Sequence, residues 1–140
     1  MSGKSAKIAA LIAEQQGQSL NAHYLGFFAC FNRQQFFEAH DVLEELWLEQ
    51  GKGGSNYAFY KGLIQLAGAF VHLQKNRLRP AVALFNLAEA NLRRYANPHE
   101  QLDLAVVLAL IGSWRSRISE RNFEMNPLAE NPPPLLRLQK

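Results

Sequence analysis

Apolar side chains recur at steps of three and four along most of this chain, the spacing that gathers them on one face of an α-helix. Tyr24, Phe27, Phe28 and Phe31 make the first strong run and predict a helix from about residue 20 to 31, with Ser19 as its N-cap. A second helix is predicted from about residue 34 to 50, with Asn32 as cap or turn residue and Gly51-Lys52-Gly53-Gly54 as its stop. Tyr57, Tyr60, Ile64, Ala67 and Val71 mark a third, from Tyr57 to about residue 76, capped by Ser55 or Asn56. Pro80 suits the first turn of a fourth, with Ala81, Leu84, Phe85, Ala88, Leu92 and Tyr95 as its buried stripe and Asn97-Pro98 as its end. A fifth, from about residue 102 to 118, turns Leu104, Val107, Leu108, Ile111 and Trp114 inward.

No stretch alternates as a half-buried strand does. The expected class is all-α: a compact bundle of about five antiparallel helices built from helical hairpins, because short links favour antiparallel neighbours. Residues 19–122 form the single helical domain of this reading. Residues 1–18 are an amphipathic N-terminal extension, set off by Gly17-Gln18-Ser19. Residues 123–140 are an extended, proline-rich tail, in which Pro127 and Pro132-Pro133-Pro134 argue against helix.

Composition narrows the class without naming an activity. The chain has 140 residues, 48% of them apolar and 19% charged, enough to build one core and far from a disordered composition. A net charge of +3 is too small to argue for nucleic acid, and Arg93, Arg94, Arg115, Arg117 and Arg121 lack the interleaved aromatics of a single-strand platform. They read as a solvated face or as a complement to the acidic second helix. Nucleic acid is therefore not an expected partner. The single cysteine, Cys30, excludes an internal disulfide and reads as a core residue in a cytoplasmic protein. The uncharged stretch from Gly62 to Gln74 is short and carries Gln65, His72 and two glycines, so no membrane span is expected.

The candidate chemistry lies in the second and third helices. Five of the 12 acids fall between Glu38 and Glu49, with no lysine or arginine among them. On a helix His40 and Glu44 stand one turn apart beside Phe36, Leu43 and Trp47, and Glu38, Asp41 and Glu45 share the neighbouring side. Lys61, Gln65 and His72 follow at spacings of four and seven, next to Gly62, Gly68 and Ala69, small enough to admit a close helix. An antiparallel hairpin would let His40, Glu44, Gln65 and His72 converge. Three readings stay open: a buried, satisfied polar network that fixes register; a metal or acid–base site; and a partner-binding surface. For the second, His40, Glu44 and His72 are the metal candidates for a divalent ion, and Glu38, Glu44 and Lys61 the catalytic candidates. The di-iron spacing of bundle carboxylates is missing, because Glu38 precedes His40 by two residues rather than three. His23 and His99 are expected to be exposed, and Trp47 and Trp114 to anchor the core.

The run Phe36-Phe37-Glu38-Ala39-His40-Asp41-Val42-Leu43-Glu44-Glu45-Leu46-Trp47, followed by Tyr60-Lys61-Gly62-Leu63-Ile64-Gln65-Leu66-Ala67 with Phe70 and His72, resembles the domain-of-unknown-function 309 family. Pro80-Ala81, Leu84, Ala88 and Leu92-Arg93-Arg94-Tyr95 fit a third block, so the likeness covers about residues 24–95. It implies a small all-helical, cytoplasmic prokaryotic domain without an established activity. It also marks Glu38, His40, Asp41, Glu44, Trp47, Gln65 and His72 as the motif. The family usually has Glu where this chain has Asp41, a shorter side chain. The functional expectation is a non-enzymatic domain that self-associates or binds a protein partner. The alternative is a metal-dependent, hydrolase-like enzyme using His40, Glu44 and His72.

Overall fold

The computed structural model describes residues 3–139. Met1, Ser2 and Lys140, at the ends of the two expected flanking segments, lie outside the described residues. The helices are α1 (Gly3–Ile12), α2 (Ala22–Asn32), α3 (Phe36–Gln50), α4 (Tyr57–Gln74), α5 (Leu78–Leu92), α6 (Leu104–Glu120) and α7 (Pro127–Glu130). The described residues contain no strand, only two isolated bridges. The five predicted helices are α2 to α6, and two more flank them. α1 is a packed helix, with Ile8 and Ile12 buried against α2 and α3.

From α2 to α5, consecutive helices pack as antiparallel hairpins. Between α2 and α3, His23 meets Glu45 while Phe31 meets Phe36. Between α3 and α4, Trp47 meets Tyr57 while Phe36 stacks on Phe70. Between α4 and α5, the Cα of Gly62 faces Leu92 and that of Gly68 faces Leu84. The predicted stripes are the buried ones: Phe27, Phe31, Phe59, Phe70, Phe85 and Ile111 are each wholly buried. Phe70 sits at the centre, with ring centroids 5.7 Å from Phe31, 5.1 Å from Phe36, 5.4 Å from Phe85 and 5.1 Å from Trp114.

The caps differ from expectation because side chains distant in sequence reach the helix ends. Asn21, not Ser19, caps α2 by accepting the His23 N–H. Neither Ser55 nor Asn56 caps α4 through its side chain. The Tyr95 hydroxyl does so from beyond α5, accepting the Phe59 N–H at 3.0 Å and donating to the Ser55 carbonyl at 2.9 Å. Gly51 ends α3 with φ at 71°, where a side chain would be strained.

The C-terminal segment is corrected in part. Pro127 starts a one-turn helix, since a proline is tolerated at the first helical position and Asn126 caps it. The following residues are extended and lie on the domain. The Asn32 side chain, expected to cap α3, instead donates to the Leu136 carbonyl and accepts its N–H, both at 2.8 Å. Leu136 is 2% exposed. Arginines of the C-terminal half pair with Glu89 and Glu130 rather than with α3.

A Cβ on Gly62 would meet Leu92 at 2.9 Å and Asn91 at 3.2 Å, whereas one on Gly68 would meet only the end of Leu84, at 3.1 Å. Gly62→Ala should therefore destabilise by roughly 1–3 kcal/mol through overpacking. Gly68→Ala should be near neutral, its single flexible neighbour offset by the gain in helix propensity. Urea unfolding of the two variants checks this, and equal midpoints would refute the tight α4–α5 contact at Gly62.

Candidate functional site

α4 is covered by α3 and α5 on all but one stripe. Its partly exposed residues, Lys61, Gln65, Gly68, Val71 and His72, line a groove of about 450 Å³ that continues to Lys75. Phe37 and His40 of α3 form one wall, and Leu84 and Leu87 of α5 form the other. Phe37 is 52% exposed and Leu87 50% exposed, so both lips are apolar and open to solvent.

The polar groups are held individually. The Gln65 carbonyl oxygen accepts from the Asn91 amide at 2.7 Å. The Lys61 ammonium lies 4.4 Å above the Trp47 ring, a cation–π contact that keeps its charge at the groove. Trp47 is half-buried and packs against the edge of the core, with its indole N–H donated to the Tyr57 carbonyl at 3.1 Å. His72 has a buried Nδ1 with no hydrogen-bond partner. Burial first, then the charges of Arg77 and Lys75, hold its pKa below the ordinary value of 6.5.

His40 looks both ways. Its ring borders the groove, while its Nδ1 lies 3.1 Å from an Asp41 carboxylate oxygen and its Nε2 3.7 Å from Glu44. Those two carboxylates face α1, where the Lys4 ammonium is 3.2 Å from Glu44 and 3.6 Å from Asp41. The carboxylate bond to Glu44 holds the Lys4 pKa above its ordinary value. His40, Asp41 and Glu44 offer ligand atoms that all lie within 4.8 Å of one another.

The four residues expected to converge are thus divided. His40, Gln65 and His72 share the groove, with Lys61, but Glu44 does not line it. His72 stands outside the close group formed by His40, Asp41 and Glu44. Asp41 stands about 100° around α3 from His40, and Glu44 only about 40° around but a full turn, about 6 Å, further along the axis, where Lys4 of α1 meets both carboxylates. Glu38 is half-buried on α3 and lines no part of the groove; it adds to the burial that pushes the Cys30 thiol up. The sealed network is not formed: no polar or charged residue is fully buried among the described residues.

His23 and His99 are not exposed. His23 meets Glu45 at 2.9 Å, and His99 packs on Phe59 and Tyr95 with Asn56 at 2.6 Å. Sequence reasoning missed Phe37, Leu87, Lys75 and Lys4. The adjacent pair Phe36-Phe37 was the available signal, because one helix face can bury only one of them. The others depend on which helices become neighbours.

These features define a small helical-bundle domain with an open surface groove. Residues 24–84 match the model of the family described as Domain of unknown function (DUF309), which bears out the resemblance read from the sequence over that part of the chain. No curated protein and no solved structure matches significantly. No described helix is long and apolar enough to cross a membrane.

Protonating His72 in the folded state is opposed, so the unfolded chain binds the proton more readily. The stability linked to His72 is therefore present above pH 6.5 and lost as pH falls through its lowered folded value. His72→Gln should flatten the fall of Tm below pH 6.5 while leaving Tm at pH 8 little changed. An identical pH slope in the variant would remove His72 as the cause.

Proposed function

We propose that this chain is a non-enzymatic partner-binding domain and that the groove over α4 is its docking surface. The observation that carries this reading is the pair of half-exposed apolar lips, Phe37 and Leu87, on either side of Gly68. Large apolar side chains grouped at a concave surface are the usual mark of an interaction site. The spread of the acid–base candidates supports it too: of Glu38, Glu44 and Lys61, only Lys61 reaches the groove. A groove-to-groove dimer would bring two copies of Lys61 and Lys75 together, so the reading favours a different protein as partner over a second copy.

An apolar dye such as anilinonaphthalene sulfonate is expected to bind the full chain and brighten. Leu87→Glu should abolish the signal with Tm nearly unchanged, because a surface substitution usually costs within about 0.5 kcal/mol. Undiminished dye binding by that variant would sink the groove as the docking surface.

A second reading, a divalent-metal site with hydrolase-like chemistry, has one observation in its favour: the close grouping of His40, Asp41 and Glu44. An imidazole with two carboxylates suits zinc, manganese or iron, and a bound ion would make water a better nucleophile. Lys4 now holds the carboxylates. Lys4→Ala should therefore tighten zinc binding in calorimetry, and Glu44→Ala should weaken it. No heat from zinc with Lys4→Ala would discard this reading.

A further inference from the structure

The open stripe of α4 has a direction and a charge pattern. Lys61, Gln65, Gly68, His72 and Lys75 follow one another at steps of three and four, so they lie along one side of the helix. From Lys61 to Lys75 the stripe is about 21 Å long at 1.5 Å per residue, enough for nearly four turns of a helix laid beside it. Gly68 lies near the middle, where the missing side chain lowers the floor; only Leu84 comes within 4 Å of the place a Cβ would take. A cation stands at each end of the stripe, and among the described residues no carboxylate lines the groove. Asp41 and Glu44, beside His40 on α3, are turned to Lys4.

We propose that the occupant is an acidic amphipathic α-helix of another protein. Its apolar ridge would lie over Gly68 between Phe37 and Leu87, with carboxylates near its two ends paired to Lys61 and Lys75. This rests on the groove being a docking surface and adds the chemistry of the partner. An apolar ridge between apolar lips supplies burial, and the two end charges fix register. Elements of this chain do not fit the role. α1 carries Lys4 and Lys7 and already buries Ile8 and Ile12. The open face of α6, with Val106, Ala109 and Ser113, has no acid before Glu120. Leu48 of α3 is a single exposed apolar side chain, too small for a ridge.

The test uses the full chain and labelled designed peptides about 18 residues long, read by fluorescence anisotropy. One is an amphipathic helix with a leucine ridge and glutamates about 14 positions apart; a second has lysines in their place; a third carries a central proline that breaks the helix. The glutamate helix is expected to bind roughly tenfold or more tighter than the other two, with the advantage shrinking at high salt. Combining Lys61→Glu and Lys75→Glu should reverse the preference to the lysine helix. Gly68→Leu, which fills the floor without altering charge, should weaken both helices.

Equal binding of the acidic and basic helices overturns the inference, as does equal binding of the proline peptide. If the apolar dye still binds in either case, the docking surface survives and only its occupant was wrong. If neither dye nor peptide binds, both fail. Binding of dodecanoate with no binding of any peptide also overturns the inference, and assigns the groove to a small amphipathic carboxylate.

Discussion

One aromatic ring ties four helices together. Phe70 lies wholly buried on α4, within ring-contact distance of Phe31 on α2, Phe36 on α3, Phe85 on α5 and Trp114 on α6. Edge-to-face and stacked pairs each add about 0.5–1.5 kcal/mol to the burial of the rings. α4 cannot rotate without breaking contacts to all four neighbours at once. Its register then settles which of its residues remain uncovered. The line through Lys61, Gln65, Gly68 and His72 is open because the opposite side is committed to Phe70, Leu63, Leu66 and Phe59.

The division of charge follows from the same packing. Antiparallel contact of α3 with α4 turns His40 toward the groove, and the packing of α1 on α3 gives Asp41 and Glu44 a lysine partner. Glu45 is taken up by His23 on α2. The acidic run of α3 is thereby drawn to the α1 and α2 side, and the groove keeps Lys61 and Lys75 without a carboxylate of its own. A helix that reads as strongly acidic thus borders a surface whose own charges are positive. Long-range attraction depends on where charge stands, not on how much a segment carries.

Much of the fold was legible, and the reasons are local. Phe27, Phe31, Ala81, Phe85, Val107 and Ile111 fall at helical spacing, so their burial follows once the helices pair. Gly51 marked its helix end, because its φ of 71° favours a residue without Cβ. Helix starts were less legible. Tyr95 caps α4 from 36 residues away, and Asn32 leaves its expected capping role to hold Leu136. Such bonds depend on which segments meet, and local pattern carries no record of that. The proline-rich segment was hard for the same reason: proline forbids a helix interior but says nothing of what an extended chain lies upon.

The candidate site divides along the same line. By itself the sequence determined the five helices α2 to α6, the residues of their core stripes and the i, i+4 relation of His40 to Glu44, since all of these arise from the pitch of one helix and the length of its links. Tertiary structure alone decided that His40 and Glu44 serve different surfaces, that Lys4 closes the acidic cluster, and that Phe37 and Leu87 face each other across Gly68. Those outcomes are set by the rotation of each helix about its axis, and by where along its length each neighbour packs, when side chains interlock. That rotation is fixed by the sum of contacts with several neighbours, among which Phe70 holds the central place.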